Sequence, residues 1–279
     1  MLKHRTSIEF PEDLWKKLSA SVAKRKRTRF IVEAVKEKLA RISVKAVILC
    51  GGEGTRMRPL TLTIPKPMLP LGYKPILEHN IEYFKRYGIN NFILAIGYLG
   101  ENIVKYFGDG TQFDVSIEYS PEDMAMGTGG AIKKVERLVN SIFMVTNGDV
   151  LFGDLAVNDV LRFHREKGGT GTVVLWHTEE TKRFGLVETD DEGRIVEFVE
   201  KPRYPSPGWI NAGFYVFEPE VFDHIPKNKV VSLESDVFPT LVERGELFGF
   251  KYTGYWADIG LPKDYERVSK DFLTNKITR

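Results

Sequence analysis

The chain has 279 residues, 42% hydrophobic and 28% charged, which excludes a disordered polyelectrolyte and leaves room for one large α/β domain or a mid-sized domain with an appendage. Its one cysteine, Cys50, excludes intramolecular disulfides and multi-cysteine metal sites, and fits a reducing, cytoplasmic setting. The net charge of +2 is unevenly divided: residues 1–43 carry 12 Lys/Arg against 5 Asp/Glu, and the remainder 28 against 33.

The opening residues have no apolar core of a leader, and no apolar run reaches the length of a membrane helix, so neither a signal peptide nor a membrane partner is expected. From Arg5 to Phe10 the side chains alternate with the period of a half-buried strand. Pro11-Glu12-Asp13 opens a helix whose apolar positions are Leu14, Trp15, Leu18 and Val22. Lys24-Arg25-Lys26-Arg27 interrupts the pattern, and Thr28 reads as the N-cap of a second helix over 29–41, with Phe30, Ile31, Ala34, Val35 and Leu39 as its stripe.

One strand and two short helices cannot satisfy a strand edge or close a core, which predicts pairing with a second copy. Over residues 3–41 this order resembles a ribbon-helix-helix DNA-binding segment. The resemblance implies a homodimer through the N-terminal arm and DNA as a partner, with Arg5, Ser7 and Glu9 facing bases and Thr28 holding phosphate. Glu9 departs from such a role, because an acid accepts only from cytosine amino groups and repels phosphate. The alternative is an arm that only dimerises and solvates its basic face.

Beyond residue 43 a body begins that runs over 44–279. Residues 44–49 read as a buried parallel strand, and further short apolar runs lie at 92–96, 142–146, 172–176 and 212–217. Helical stretches at 75–87, 129–138 and 154–167 fall between several of them. Such alternation predicts an α/β fold, a mostly parallel sheet flanked by helices, with ligands beyond the carboxyl ends of the strands.

The first strand ends in Gly51-Gly52-Glu53-Gly54-Thr55-Arg56. A dinucleotide fingerprint needs a further glycine where Met57 stands, and a Walker loop needs Gly-Lys-Ser/Thr, so both fail. What remains is a glycine turn that supplies amides, Arg56 as a phosphate clamp, and Lys66 as a second cation between two prolines.

The run from Gly51 to Thr61, continuing into Ile64-Pro65-Lys66-Pro67-Met68-Leu69-Pro70, closely resembles the sugar-1-phosphate nucleotidyltransferases. Gly127-Thr128-Gly129-Gly130-Ala131, Asn147-Gly148-Asp149, Phe184-Gly185, Val199-Glu200-Lys201-Pro202, Asn211-Ala212-Gly213 and Trp256-Ala257-Asp258-Ile259-Gly260 follow in the same order, so the match spans about 45 to 268. The resemblance implies a Rossmann-like fold of the nucleotide-diphospho-sugar transferase type. It also implies nucleotidyl transfer from a nucleoside triphosphate to a sugar 1-phosphate, with release of pyrophosphate.

By the same resemblance Gly51, Gly52, Gly54, Thr55, Arg56, Lys66 and Gly127 bind the nucleotide, and Arg56, Lys66 and Asp149 are catalytic. Asp149 and Asp258 would hold Mg²⁺, while Gly185, Glu200, Lys201, Asn211 and Gly213 would bind the sugar phosphate. The motifs come nearest to mannose-1-phosphate guanylyltransferases. Glucose-1-phosphate thymidylyl- or uridylyltransferase is the alternative, and a DNA-binding regulator that senses a sugar nucleotide is a reading of another class. Glu122 reads as an ordinary loop residue rather than a base reader, Cys50 as a small core hydrophobe, and the scattered histidines as structural. Only 19 residues follow Gly260, so an acyltransferase domain of hexapeptide repeats is not expected.

Overall fold

A computed structural model describes residues 8–204 and 206–277. Its contacts divide the chain after Ser43 into two units. Arg5 and Ser7 lie outside the described residues.

In the N-terminal unit, α1 (Glu12–Ser21) starts behind Pro11, with Glu12 and Asp13 in the first turn, where acids suit the helix dipole. A 3₁₀ turn, Lys24–Lys26, leads without a break into α2 (Arg27–Ser43). Thr28 therefore sits inside the helix and caps nothing, contrary to the sequence expectation. The reason is Arg27, whose Nε and Nη2 donate to Val22 O at 3.0 Å and Ser19 O at 3.2 Å. That side chain satisfies the open carbonyls at the end of α1 and fixes the junction. Lysine and arginine are good helix formers, so the basic run extends the helix instead of interrupting it.

Residues 8–10 lie outside any helix or strand. A single copy offers a strand there no edge to pair with. Leu18 is buried, whereas Leu14, Trp15, Phe30, Val32 and Val35 are exposed, with Trp15 held against Phe10 and under Arg27.

The body begins with β1 (Lys45–Cys50), which serves two cores at once. Ala46, Ile48 and Cys50 pack into one and Val47 into the other. Short turns lead to β2 (Pro70–Leu71), β3 (Lys74–Pro75), α3 (Ile76–Arg86), β4 (Asn91–Ile96), α4 (Gly100–Phe107) and β5 (Ser116–Pro121). Then come α5 (Gly127–Lys134), β6 (Phe143–Asn147), β7 (Val150–Phe152), α6 (Val157–Lys167) and β8 (Gly171–Thr178). The chain continues through β9 (Gly185–Thr189), β10 (Ile195–Glu200), β11 (Gly208–Phe217), α7 (Phe238–Glu243), β12 (Leu247–Tyr252), β13 (Trp256–Asp258) and α8 (Pro262–Leu273).

Among the described residues nine strands form one sheet, ordered β10-β9-β11-β6-β1-β4-β5, with β8 on β11 and β12 on β8. The strands β6, β1, β4 and β5 are parallel, while β11 joins β6 antiparallel. Their register sets Cys50 beside Ile96, Ile96 beside Pro121 and Leu49 beside Asn147. The loops that begin at Gly51, Gly97, Glu122 and Gly148 therefore leave one edge of the sheet together. β7 and β13 form a separate pair that opposes Asp258 and Val150. Among the described residues no helix is long and apolar enough to cross a membrane.

Candidate active site

A cavity of about 410 Å³ opens at that edge. Gly51, Gly52, Gly54, Thr55, Arg56, Lys66, Gly127 and Asp149 all line it, so the residues expected to bind nucleotide come together. Arg56 is exposed and, among the described residues, has no ion pair. Its neighbour Arg58 is tied to Glu53 at 3.0 Å. Lys66 is buried between Pro65 and Pro67 and pairs directly with Asp149. A larger cavity of about 580 Å³, walled by His79, Asn80, Tyr83 and Phe272, contains none of the motif residues.

Gly51 lies against the free end of the Glu122 side chain. A Cβ there would stand 2.7 Å from Glu122 Oε2. Glu122 leaves the end of β5 with its N–H donating to Ile96 O at 2.7 Å, and its side chain turns into the cavity wall. Its Oε1 is buried without a hydrogen-bond partner, and burial holds the carboxyl above its ordinary range, with Lys134 pulling the other way. Glu122 therefore keeps one carboxylate oxygen against the glycine turn and the other enclosed without a partner.

Gly127 lines the cavity, but its missing side chain makes room for the carbonyl of Val231. The same oxygen accepts from Gly129 N at 2.9 Å and Gly130 N at 3.2 Å. These amides open α5 and would otherwise form an anion site. They are already spent, so phosphate charge at this edge falls to side chains and to the 51–56 turn.

Asp258 stands in a neighbouring cavity of about 430 Å³ with Trp176, Arg183, Phe184, Trp256 and Asp264. Ile259 N donates to Asp149 O at 2.9 Å, which ties the two acidic segments together. Burial, and next the charge of Asp149, push the Asp258 carboxyl up to about 6, against the pull of Lys66 and Arg183. Among the described residues Asp258 has no ion pair, because Arg183 is engaged with Asp264 at 2.8 Å. Two acids on joined segments, one of them half-buried without a counter-ion among the described residues, fit a hard divalent cation. No described group of three or more His, Cys, Asp or Glu side chains could hold a metal, so such a cation would depend on substrate oxygens as well.

Trp256 touches the residues next to two of the sugar-side positions, Ala212 and Phe184. Its indole Nε1 donates to Ala212 O at 2.9 Å, and its ring meets Phe184 at 5.4 Å and Trp176 at 4.9 Å. Gly185 lies against Phe198 and Glu200, and Lys201 N donates to Phe184 O at 3.1 Å. Lys201 adopts left-handed backbone (φ 47°), a strained conformation for a residue with a side chain, and its ammonium rests on Glu200 at 2.8 Å. Asn211, expected to contact sugar hydroxyls, is engaged within its own strand. Its Nδ2 donates to the Tyr215 hydroxyl at 2.9 Å and its Oδ1 accepts from Gly213 N at 2.9 Å, so it holds the irregular turn of β11.

Cys50 is buried at the end of β1, and burial pushes its thiol far up, so it is a core hydrophobe. Trp256 as a hub, and Arg183 with Asp264, were not singled out from sequence. The Trp256-Ala257-Asp258 motif marked the first, whereas nothing local marked the second.

The family described as Nucleotidyl transferase matches residues 45–275. The mannose-1-phosphate guanylyltransferase of Mycobacterium tuberculosis is 44% identical over 239 residues, covering 84% of this chain and 66% of that protein. A UTP–glucose-1-phosphate uridylyltransferase of Synechocystis is 37% identical over 251 residues, covering 84% and 64%. The chain thus spans just under two thirds of these relatives' length. A putative glucose-1-phosphate thymidylyltransferase from Bacillus anthracis, solved with sucrose, superposes with a TM-score of 0.75 at 27% identity over 81% of this chain and 94% of that one. HddC from Yersinia pseudotuberculosis, solved with GMP-PN, gives 0.71 at 29% identity over 82% and 99%.

Proposed function

Since the chain belongs to the nucleotidyl transferase family, we propose that it transfers a nucleotidyl group from GTP to mannose 1-phosphate, releasing pyrophosphate. The observation that carries this reading is the meeting of Arg56, Lys66 and Asp149 in one cavity, with Asp258 coupled electrostatically to Asp149. The attacking oxygen belongs to a phosphate that is already anionic, so the site needs alignment and charge neutralisation rather than a base.

Arg56, without an acid of its own, is free to clamp the triphosphate through its planar fork. Lys66 stands at the other side, where it neutralises the departing pyrophosphate. Asp149 and Asp258 would hold Mg²⁺, which when bound draws charge off the phosphate oxygens. Lys201, released from Glu200, meets the sugar phosphate.

Glu122 supports guanine as the base. Its carboxylate only accepts, and guanine presents two donors side by side on its pairing edge. Uracil and thymine present one donor between two acceptors and would face it with repulsion. The relative from M. tuberculosis, named for guanylyl transfer to mannose 1-phosphate, supports the same choice. For the unit before Val44 we propose pairing with a second copy through its exposed apolar side chains.

Pyrophosphate release over a matrix of four nucleoside triphosphates and several sugar 1-phosphates tests the reading. The highest rate is expected for GTP with mannose 1-phosphate. Silence across the matrix overturns it, and a clear preference for UTP or TTP with glucose 1-phosphate overturns the substrate choice.

A further inference from the structure

The nucleotide cavity and the sugar-side turn are joined by a hydrogen-bonded chain whose middle member belongs to neither motif. Glu234 sits in the π-helical turn Leu233–Val237, just before α7. Its Oε2 accepts from Thr128 Oγ1 at 2.8 Å and from Ser232 Oγ at 2.8 Å. Its Oε1 accepts from the Tyr215 hydroxyl at 3.3 Å, and that hydroxyl accepts from Asn211 Nδ2. Thr128 lines the nucleotide cavity, while Asn211 holds Gly213 N beside Ala212, the residue that receives the Trp256 indole.

The direction of every bond in this chain is set. Thr128 has one hydroxyl proton, given to Glu234, and its oxygen already accepts from Leu233 N at 2.9 Å. Tyr215 has one proton, also given to Glu234, and its oxygen accepts from Asn211. Tyr215 is fully buried, and burial keeps its phenol protonated. Only a side chain with acceptors at both ends completes the chain, and only a carboxylate has that. Glutamine would present an NH₂ to one of the two hydroxyls and leave that hydroxyl's proton without its acceptor.

We infer that Glu234 is a positioning residue that locks the Thr128 turn and the 211–213 turn into one arrangement, and so supports binding of both substrates while touching neither. The inference rests on the nucleotidyl-transfer reading above. π-Helical turns recur at functional sites, and this one places the carboxylate between Thr128 and Asn211, 83 positions apart in the chain.

The test uses Thr128→Val, Tyr215→Phe and Glu234→Gln in the full chain, with KM for each substrate, kcat, and GTP binding at equilibrium. Losing one hydrogen bond costs up to about tenfold in affinity. T128V is expected to raise the KM for GTP, Y215F the KM for the sugar phosphate, and E234Q both, with kcat changing least. An E234Q protein of lower thermal midpoint but unaltered KM values overturns the inference, as does a change in one KM only. Should E234Q not fold, the T128V/Y215F double variant decides: a shared carboxylate makes their effects non-additive, and strict additivity overturns it. Absence of turnover in the unmutated protein would sink the reaction, not the link. GTP binding then reads the chain from the nucleotide side: unchanged affinity in both T128V and E234Q overturns it, and equal weakening supports it.

Discussion

Lys66 and Asp149 form a direct ion pair across 83 positions of sequence. Lys66 reaches the pair from a 3₁₀ turn between two prolines, and Asp149 from the loop between β6 and β7. Both members of the pair also act on a second acid, Asp258, Asp149 raising its proton affinity and Lys66 lowering it. The pair keeps the acidic side of the cavity neutral until a ligand divides it.

Replacement of Lys66 by methionine keeps the length and removes the charge. Turnover is expected to fall by roughly 10²- to 10³-fold, the effect of losing one charge-stabilising group. The unfolding free energy should fall by about 3 kcal/mol, since Asp149 is left without a partner. Pyrophosphate release and urea denaturation measure the two.

Asp258 gives a pH signature. Its carboxyl titrates at about 6, and a divalent cation binds the ionised form. Mg²⁺ affinity in the presence of nucleotide should therefore weaken as pH drops below about 6, approaching tenfold per unit. Calorimetric titration at several pH values measures this, and Asp258→Asn is expected to bind weakly and to keep only the pH dependence of the nucleotide's own terminal phosphate.

Glu122→Gln replaces two acceptors by one acceptor and one donor. Discrimination for GTP over UTP is expected to fall by about 10- to 100-fold, largely through kcat/KM with GTP. Competition between the two triphosphates in one reaction gives the ratio directly. An unaltered ratio removes Glu122 from base selection.

His164 is buried, with Nδ1 on Thr172 Oγ1 at 2.9 Å and Nε2 at 3.6 Å from Glu218. Burial, helped by Arg165, pushes the imidazole down to about 4. The unfolded chain takes up this proton near 6.5, so stability is complete above that pH and lost as pH falls toward 4, by about 3 kcal/mol. Glu218, held above its ordinary range by burial, acts in the opposite sense. The difference between the unmutated protein and His164→Gln in urea midpoints from pH 7.5 to 4 isolates the histidine.

Phe30 and Val35 are exposed on α2. Phe30→Glu in the full chain is expected to shift a dimer toward monomer in sedimentation equilibrium. A monomeric unmutated protein sinks the proposed pairing. Lys24, Arg25 and Lys26 are exposed as well, and a salt-sensitive gel shift would identify DNA as the arm's partner, while no shift at low salt counts against it.

Much of the body was legible because its signals are local. β1 is a run of apolar residues stopped by glycine, and the edge where strands stop is where Gly51, Arg56 and Asp149 were sought and found. β5 was missed, since Ser116–Pro121 has only Ile117 and Ser120 buried and too few apolar residues to mark it. With β5 went Glu122, whose burial follows from the pairing of Ile96 with Pro121. Thr28 had the chemistry of a cap, but Arg27 settled the junction through bonds to Ser19 and Val22 that no local pattern announces. Asn211 stood in a recognisable motif, yet its partners Tyr215 and Glu234 became visible only when β11 and the turn before α7 met.

The contact between Gly51 and Glu122 makes two choices inseparable. The residue that begins the phosphate turn also fixes how far the acceptor beside it can retreat, so a methyl group added there would register first as altered base preference and only second as weaker triphosphate grip. If Glu122 reads the base, redesign toward another nucleobase has to take in Gly51, just beyond the end of β1, as well.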